Sequence, residues 1–192
     1  LGDSVLTLQC EGAAVRIEAV SEHIVRVRLA PTGEFGRDFS WAVLDLTPHG
    51  KLEMTDMKED RIVVSTGSVS VVVHRDPCRL EVRDGDGKIL LKDDPGRGMA
   101  WEASGAVKVW QRLDDGIGIY GLGEKTGPLN KRGRSWTMWN TDAYGYGASR
   151  DPIYKSIPFF ISARDGRYHG VFFDNPWRSS FDIDHGQRNI LS

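Results

Sequence analysis

The sequence predicts an all-β fold, an antiparallel β-sandwich, and three observations support this class. Apolar residues recur with a period of two, tight-turn sequences separate the alternating segments, and no long amphipathic helical pattern occurs. The chain has 192 residues, a length that suits one domain, and its 22 glycines fit many short connections. We therefore expect one domain over residues 1–192, built from short strands at regular spacing.

The clearest alternating segment is residues 23–29, where Val25, Val27 and Leu29 fall on one face of an extended strand. Residues 68–73 repeat the pattern. Further strands are expected over residues 14–20, 61–66, 79–83, 88–91, 106–113 and 168–173. Two of these segments flank residues 84–87, whose sequence Asp-Gly-Asp-Gly predicts a hairpin because both residue types tolerate a positive φ.

Charge and composition narrow the classes of partner. The formal net charge is −2 and the pI about 6.2, so no electrostatic feature suggests a nucleic acid or an anionic membrane. No run of about 18 apolar residues predicts a membrane span. Cys10 and Cys78 lack CxxC spacing and are expected to be free thiols, and the five histidines lack metal-ligand spacing. We expect no metal and no cofactor, and the localisation is left unassigned.

A glycine-rich segment matches the dinucleotide motif GxGxxG at residues 116–121. That motif requires a helix to open at its end, because the helix amino terminus holds the pyrophosphate. The following residues include Gly123, Gly127 and Pro128, which disfavour a helix. A phosphate-binding P-loop is disfavoured as well, because Glu124 precedes Lys125 and would repel phosphate. We therefore reject nucleotide binding.

Residues 136–147 combine aromatic and polar side chains in a glycine-rich stretch. Aromatic rings cover the apolar faces of sugars, and carboxylates or amides bond the hydroxyl groups, so the composition suggests carbohydrate contact. The alternative interpretation makes Trp136 and Trp139 core anchors and Asp142 a turn former. Composition alone leaves both open.

Four short segments follow one another along the chain at residues 120–125, 138–142, 154–160 and 170–175. Taken together in this order, they resemble glycoside hydrolase family 31, which contains α-glucosidases and α-xylosidases. The resemblance implies an amino-terminal β-sandwich of the galactose mutarotase-like, supersandwich type, followed by a (β/α)₈ barrel. The barrel supplies the nucleophile and the acid/base of a retaining mechanism. A loop of the sandwich lines the substrate pocket, and Asp142 matches the position that contacts sugar hydroxyls. Tyr144 is expected on the same wall.

The resemblance also has a gap. No Trp-x-Asp-Met-Asn-Glu segment resembles the family's nucleophile motif, and the chain stops near residues 182–184, where more sandwich strands are expected. We therefore expect a fragment without catalytic residues, an accessory domain that completes the pocket of a retaining α-glycosidase acting on α-glucosides or α-xylosides. Its partners would be the missing barrel of the same polypeptide and an oligosaccharide substrate. Within the signature segments, Gly121 and Gly123 are expected to allow a bend or a close backbone approach, and Phe159 to be a core ring.

Two other functions stay open. A stand-alone carbohydrate-binding module is compatible with the aromatic residues Trp136, Trp139, Tyr144 and Tyr146. An aldose epimerase-like enzyme would share the type of sandwich, but it needs an acid and a base on either side of the sugar ring. The sequence offers no convincing histidine and glutamate pair for that chemistry.

Overall fold

The computed structural model describes residues 4–10, 12–45 and 47–192, and it confirms the all-β class. These residues form seventeen strands and no helix. A helix long and apolar enough to cross a membrane is accordingly not found among them. The chain divides into two compact units, Leu1–Val109 and Trp110–Ser192. Each unit has an apolar core of its own between two of its antiparallel sheets.

The first unit contains ten strands. In chain order they are β1 (Val5–Cys10), β2 (Ala13–Ser21), β3 (Ile24–Ala30), β4 (Glu53–Met57), β5 (Arg61–Ser65), β6 (Val69–Arg75), β7 (Cys78–Asp84), β8 (Ile89–Lys92), β9 (Met99–Trp101) and β10 (Val107–Val109). Strands β1 to β3 form one sheet in sequence order, β4 to β8 form a second, and β9 pairs with β10. Such consecutive pairing is typical of hairpin-connected antiparallel sheets.

Alternating residues build the core of the first unit. Ile17 of β2 lies opposite Val27 of β3 and is fully buried. The predicted strand face is confirmed, because Val25, Val27 and Leu29 pack against this core. On the opposite face Arg26 and Arg28 both form ion pairs with Asp38. The period of two therefore separates apolar from charged side chains as the pattern predicts.

The hairpin at residues 84–87 is confirmed as well. It joins β7 to β8, and the Asp84 carboxylate accepts hydrogen bonds from the backbone N–H groups of Asp86 and Lys88 at 3.1 and 2.8 Å. Cys10 and Cys78 form no disulfide bond with each other. The single strand expected over residues 106–113 is wrong. That segment splits at Trp110 into a short strand of the first unit and another of the second.

Asp93 is a buried carboxylate in the first unit. Its Oδ2 accepts a hydrogen bond from the Leu80 N–H at 2.8 Å. Burial raises the pKa of Asp93 to about 6, against the opposing effects of that bond and of the Arg79 charge. The folded state therefore holds this proton more tightly than the unfolded state, in which an aspartate has a pKa of about 3.9. The stability that this proton contributes is present below that value and is lost as pH rises through about 6.

We expect Asp93→Asn to abolish this loss of stability with rising pH, because asparagine keeps an acceptor for the Leu80 N–H and carries no charge. Between pH 4 and pH 6 the free energy of unfolding of the wild type should fall relative to that of the variant, by up to about 3 kcal/mol. Urea titrations at pH 4, 5, 6 and 7 measure this difference. Asp86→Asn, in the exposed hairpin turn, is the matched control and should follow the wild type. Parallel curves for wild type and Asp93→Asn would contradict the assignment.

The second unit contains seven strands. They are β11 (Gln111–Arg112), β12 (Gly118–Gly123), β13 (Arg134–Met138), β14 (Ser156–Arg164), β15 (Arg167–Phe172), β16 (Ser179–Ile183) and β17 (Ile190–Leu191). One sheet has the order β11-β17-β16-β13, and the other has the order β12-β14-β15. Its core contains Ile119, Leu122, Trp136, Met138, Phe160, Phe181 and Ile183, among others.

The expectation that Phe159 is a core ring is wrong by one residue. Phe159 is 38% exposed, whereas its neighbour Phe160 is 2% exposed and lies in the core. Successive residues of a strand point to opposite faces, so a shift of one position exchanges the buried and the exposed ring.

Candidate functional site

A long loop between β13 and β14, residues 139–155, contains most of the segment singled out for carbohydrate contact, and we call it the pocket loop. It surrounds an open depression of about 540 Å³, lined by Asp142, Ala143, Tyr144, Gly145, Tyr146, Gly147 and Arg150. Both substrate-binding residues expected from the sequence, Asp142 and Tyr144, therefore line one depression. Each is exposed at its surface, and Tyr144 is 96% exposed.

Ala143 explains why its two neighbours point outward. Its side chain is buried, at 7% exposure, while Asp142 and Tyr144 on either side are exposed. Within the described part of the chain, no group donates a hydrogen bond to the Asp142 carboxylate. Its oxygens are consequently available to a ligand, and an ionised carboxylate accepts strong, charge-assisted hydrogen bonds.

The aromatic residues of this segment separate into two kinds. Trp136 is a core anchor, because it is 2% exposed and its indole N–H donates to the Lys131 carbonyl at 2.9 Å. Trp139, Tyr144 and Tyr146 are exposed, at 50%, 96% and 49%. The core-anchor interpretation therefore holds for Trp136 and is wrong for Trp139. Exposed rings beside a carboxylate form the combination that suits sugar faces and hydroxyl groups.

The two ends of the pocket loop are tied together by hydrogen bonds. The Trp139 backbone N–H donates to the Ser156 hydroxyl at 3.0 Å, and the Ser156 backbone N–H donates to the Asn140 side-chain oxygen at 2.7 Å. One step further along, the Thr141 N–H donates to the Ile153 carbonyl at 3.2 Å. The loop therefore closes at its base, and the residues that line the depression lie between these ties.

Two glycines bring β12 close to the base of this loop, as the sequence predicted. Gly121 has φ +123° and Gly123 has φ +80°, and the pairing of β12 with β14 shifts register between them. A Cβ atom on Gly121 would lie 2.7 Å from the Phe159 carbonyl oxygen, and one on Gly123 would lie 2.6 Å from the Lys155 carbonyl oxygen. Only glycine combines these dihedral angles with so close an approach. The segment that matched the dinucleotide motif is thus largely a strand, where that motif would require a helix to open.

Arg150 is a lining residue that the sequence reasoning missed. It stands eight positions after Asp142 and just beyond the glycine- and tyrosine-rich residues. This proximity in sequence was the signal that could have indicated Arg150 as a lining residue. Its guanidinium group adds hydrogen-bond donors to a depression that otherwise offers a carboxylate and tyrosine hydroxyls. The lining residues can therefore both accept hydrogen bonds from hydroxyl groups and donate to them.

The same lining limits the chemistry. In the described part of the chain, Asp142 is the single carboxylate that lines the depression, and no histidine lines it. Hydrolysis of a glycoside with retention uses two carboxyl groups about 5–5.5 Å apart. No cluster of three or more histidine, cysteine, aspartate or glutamate side chains suited to a metal ion occurs among the described residues. The lining residues suit hydrogen bonding to a polyhydroxylated ligand. They supply one carboxylate, whereas retaining hydrolysis uses two.

Comparison with known proteins identifies the family that this chain matches. Residues 14–182 match the model of the glycosyl hydrolase 31 N-terminal galactose mutarotase-like domain. The chain is 35% identical over 182 residues to α-glucosidase 2 of Bacillus thermoamyloliquefaciens, a match that covers 94% of this chain and 23% of the relative. It is 28% identical over 178 residues to the α-xylosidase XylQ of Lactiplantibacillus pentosus, covering 88% and 21% of the two chains.

A solved structure shows the same fold. The family 31 dextranase of Flavobacterium johnsoniae, complexed with glucose, superimposes with a TM-score of 0.87 at 30% sequence identity. The superposition covers 98% of this chain and 23% of the dextranase. The chain thus spans less than a quarter of the length of these relatives.

Proposed function

Because this chain belongs to the N-terminal galactose mutarotase-like domains of glycosyl hydrolase family 31, we propose that it completes the substrate pocket of a retaining α-glycosidase. It lends a sugar-binding loop and performs no catalysis alone. The substrates are α-glucosides or α-xylosides. The observation that carries this proposal is the exposure of Asp142 and Tyr144 side by side on the wall of an open depression.

In this proposal Asp142 binds two hydroxyl groups of one sugar ring. A carboxylate has two oxygens, so it can accept one hydrogen bond from each of two adjacent hydroxyls. Such charge-assisted bonds are about twice as strong as neutral ones. Tyr144 extends the same wall and offers an apolar ring face with a hydroxyl at its tip. Together they would orient the ring and leave the bond cleavage to other groups.

Those other groups belong, in our proposal, to a (β/α)₈ catalytic barrel in the same polypeptide. The lining of the depression supplies a single carboxylate, so the nucleophile and the acid/base of a retaining mechanism must come from elsewhere. Two relatives named as an α-glucosidase and an α-xylosidase, each more than four times as long as the region matched, support this view. The dextranase structure with glucose supports a sugar as the ligand.

The test compares the chain alone with the whole product of its gene. We expect the chain alone to release no p-nitrophenol from p-nitrophenyl α-glucoside or α-xyloside, and the whole product to release it. Nuclear magnetic resonance of the first-formed sugar should show retained α-configuration. Turnover by the chain alone that survives repurification would contradict the proposal, and so would a whole product without a barrel.

A stand-alone carbohydrate-binding module is the second candidate, and the exposed rings of Trp139, Tyr144 and Tyr146 favour it. Calorimetric titration of the chain with maltose and xylose oligosaccharides distinguishes the two functions. We expect little or no heat of binding, because the proposed pocket has its other walls on the barrel. Saturable binding by the chain alone would favour the module.

A further inference from the structure

Lys125 carries a buried charge that the proposed sugar binding does not use. It follows the glycine-dependent bend of β12, and its side chain is 0% exposed. The ammonium group donates to three acceptors: the Thr137 carbonyl oxygen, Asp151 Oδ1 at 3.0 Å and Ser156 Oγ at 3.3 Å. A lysine ammonium has three donors, so all of them are used. Burial of a charge is tolerated when it is paired and fully hydrogen-bonded in this way.

Asp151 closes the network from the other side. Its Oδ1 forms the ion pair with Lys125, and its Oδ2 accepts a hydrogen bond from the Thr137 N–H. Ser156 also serves twice, because its hydroxyl accepts from both Lys125 and the Trp139 N–H. The Thr137 carbonyl oxygen, one loop carboxylate and one hydroxyl at the start of β14 thus meet at a single ammonium group, and the Thr137 N–H donates to the same carboxylate.

These contacts join the two ends of the pocket loop. Thr137 lies in β13 just before the loop, Asp151 lies on its returning arm, and Ser156 begins β14 just after it. The neighbouring residue adds another tie, because the Thr126 hydroxyl donates to the Arg150 carbonyl oxygen at 2.7 Å. The residues that line the depression therefore lie between one end held through Thr137 and another held through Arg150 and Asp151.

We propose that Lys125 is a positioning residue of the pocket loop. Its buried ammonium group fixes the separation of the two loop ends and thereby the shape of the wall that carries Asp142. Lys125 touches no ligand in this proposal and acts through Asp151 and Ser156. The effect on the loop stands by itself, whereas the consequence for sugar affinity rests on the proposed function.

Arg132 provides a matched control in the same unit. It forms an ion pair with Asp184 at 2.7 Å, and the two side chains are 15% and 19% exposed. It also donates to Asn189 and to the carbonyl oxygens of Asp114 and Ile117. None of these partners belongs to the pocket loop. Arg132→Met therefore removes a comparably rich network without touching the loop.

Hydrogen exchange followed by mass spectrometry tests the local effect. In Lys125→Met, amides of residues 139–155 should exchange about tenfold faster or more, because the unpaired Asp151 favours local opening. Trypsin should also cleave faster after Arg150. Arg132→Met should leave both rates in the loop unchanged. Should Lys125→Met fail to fold, Ser156→Ala removes one acceptor and should accelerate the same amides to a smaller extent.

Equal exchange in the loop of Lys125→Met and Arg132→Met would overturn the proposal, whatever the activity. Steady-state kinetics of the whole gene product then separates the two proposals. A positioning role predicts a higher KM with a smaller change in kcat for Lys125→Met, and no such change for Arg132→Met. A loosened loop with unchanged KM would support Lys125 as a positioning residue of the loop and would contradict the sugar-binding role of the loop.

Discussion

Replacement of Asp142 by alanine should, under the proposed function, lower kcat/KM of the whole gene product for an α-glucoside by about 10²–10³-fold. A hydrogen bond to a charged group contributes about 1.5–3 kcal/mol, and our proposal gives this carboxylate two such bonds to one sugar ring. Loss of about 3–4 kcal/mol of binding energy corresponds to that range in rate. Because the side chain is exposed and no described group donates to it, the thermal midpoint should stay unchanged.

Two asparagine variants control this prediction. Asp142→Asn keeps the shape of the side chain and one acceptor oxygen, so we expect a smaller loss of about tenfold. Asp165→Asn makes the same change at an exposed carboxylate in the turn between β14 and β15, outside the depression. It should keep wild-type kinetics. An Asp142→Ala enzyme with wild-type kcat/KM on both α-glucoside and α-xyloside would contradict the assignment.

Replacement of Trp136 by alanine should lower the thermal midpoint of the second unit by about 15 °C or more. Truncation of a buried tryptophan costs about 3–5 kcal/mol, and in a small unit each kcal/mol shifts the midpoint by about 4–8 °C. Trp136 is 2% exposed and donates its indole N–H to the Lys131 carbonyl, which would lose its partner. The Lys131 ammonium, 4.8 Å from the ring centroid, would lose a cation–π contact.

Trp139→Ala is the matched comparison, since the same residue type stands three positions away. Trp139 is 50% exposed, so its removal should cost less than about 1 kcal/mol of stability. Thermal denaturation followed by circular dichroism measures both variants. Equal losses of stability would show that the two tryptophans are both core anchors, contrary to their placement in the structure.

The fold class was accessible from local pattern because its signals lie between residues close in sequence. Val25, Val27 and Leu29 reach the core through the period of two, and the Asp84 hairpin follows from turn chemistry. The error at Phe159 arises because a shift of one position decides which side chain of a strand faces the core. Phe159 and Phe160 are both apolar, so the sequence does not say which of them faces the core.

The candidate site also contains residues that the sequence indicates and residues that it does not. Composition and resemblance single out Asp142 and Tyr144 as candidates, and both line the depression. Arg150 and Lys125 were not identified. Lys125 and Asp151 are 26 positions apart in sequence, and the pattern of neither segment indicates the ion pair between them.

The assignment of Asp142 needed the family resemblance as well as composition. Residue pattern alone was enough to predict the all-β class, the hairpin at residues 84–87 and several of the strands. Each of these depends on neighbours within a few positions, where alternation and turn preferences act. The tertiary structure was needed for the division into two units, for the buried Trp136 beside the exposed Trp139, and for the ammonium group that ties the loop ends. These features arise when strand pairing and core packing bring distant segments together, and the pairing register decides which side chains meet.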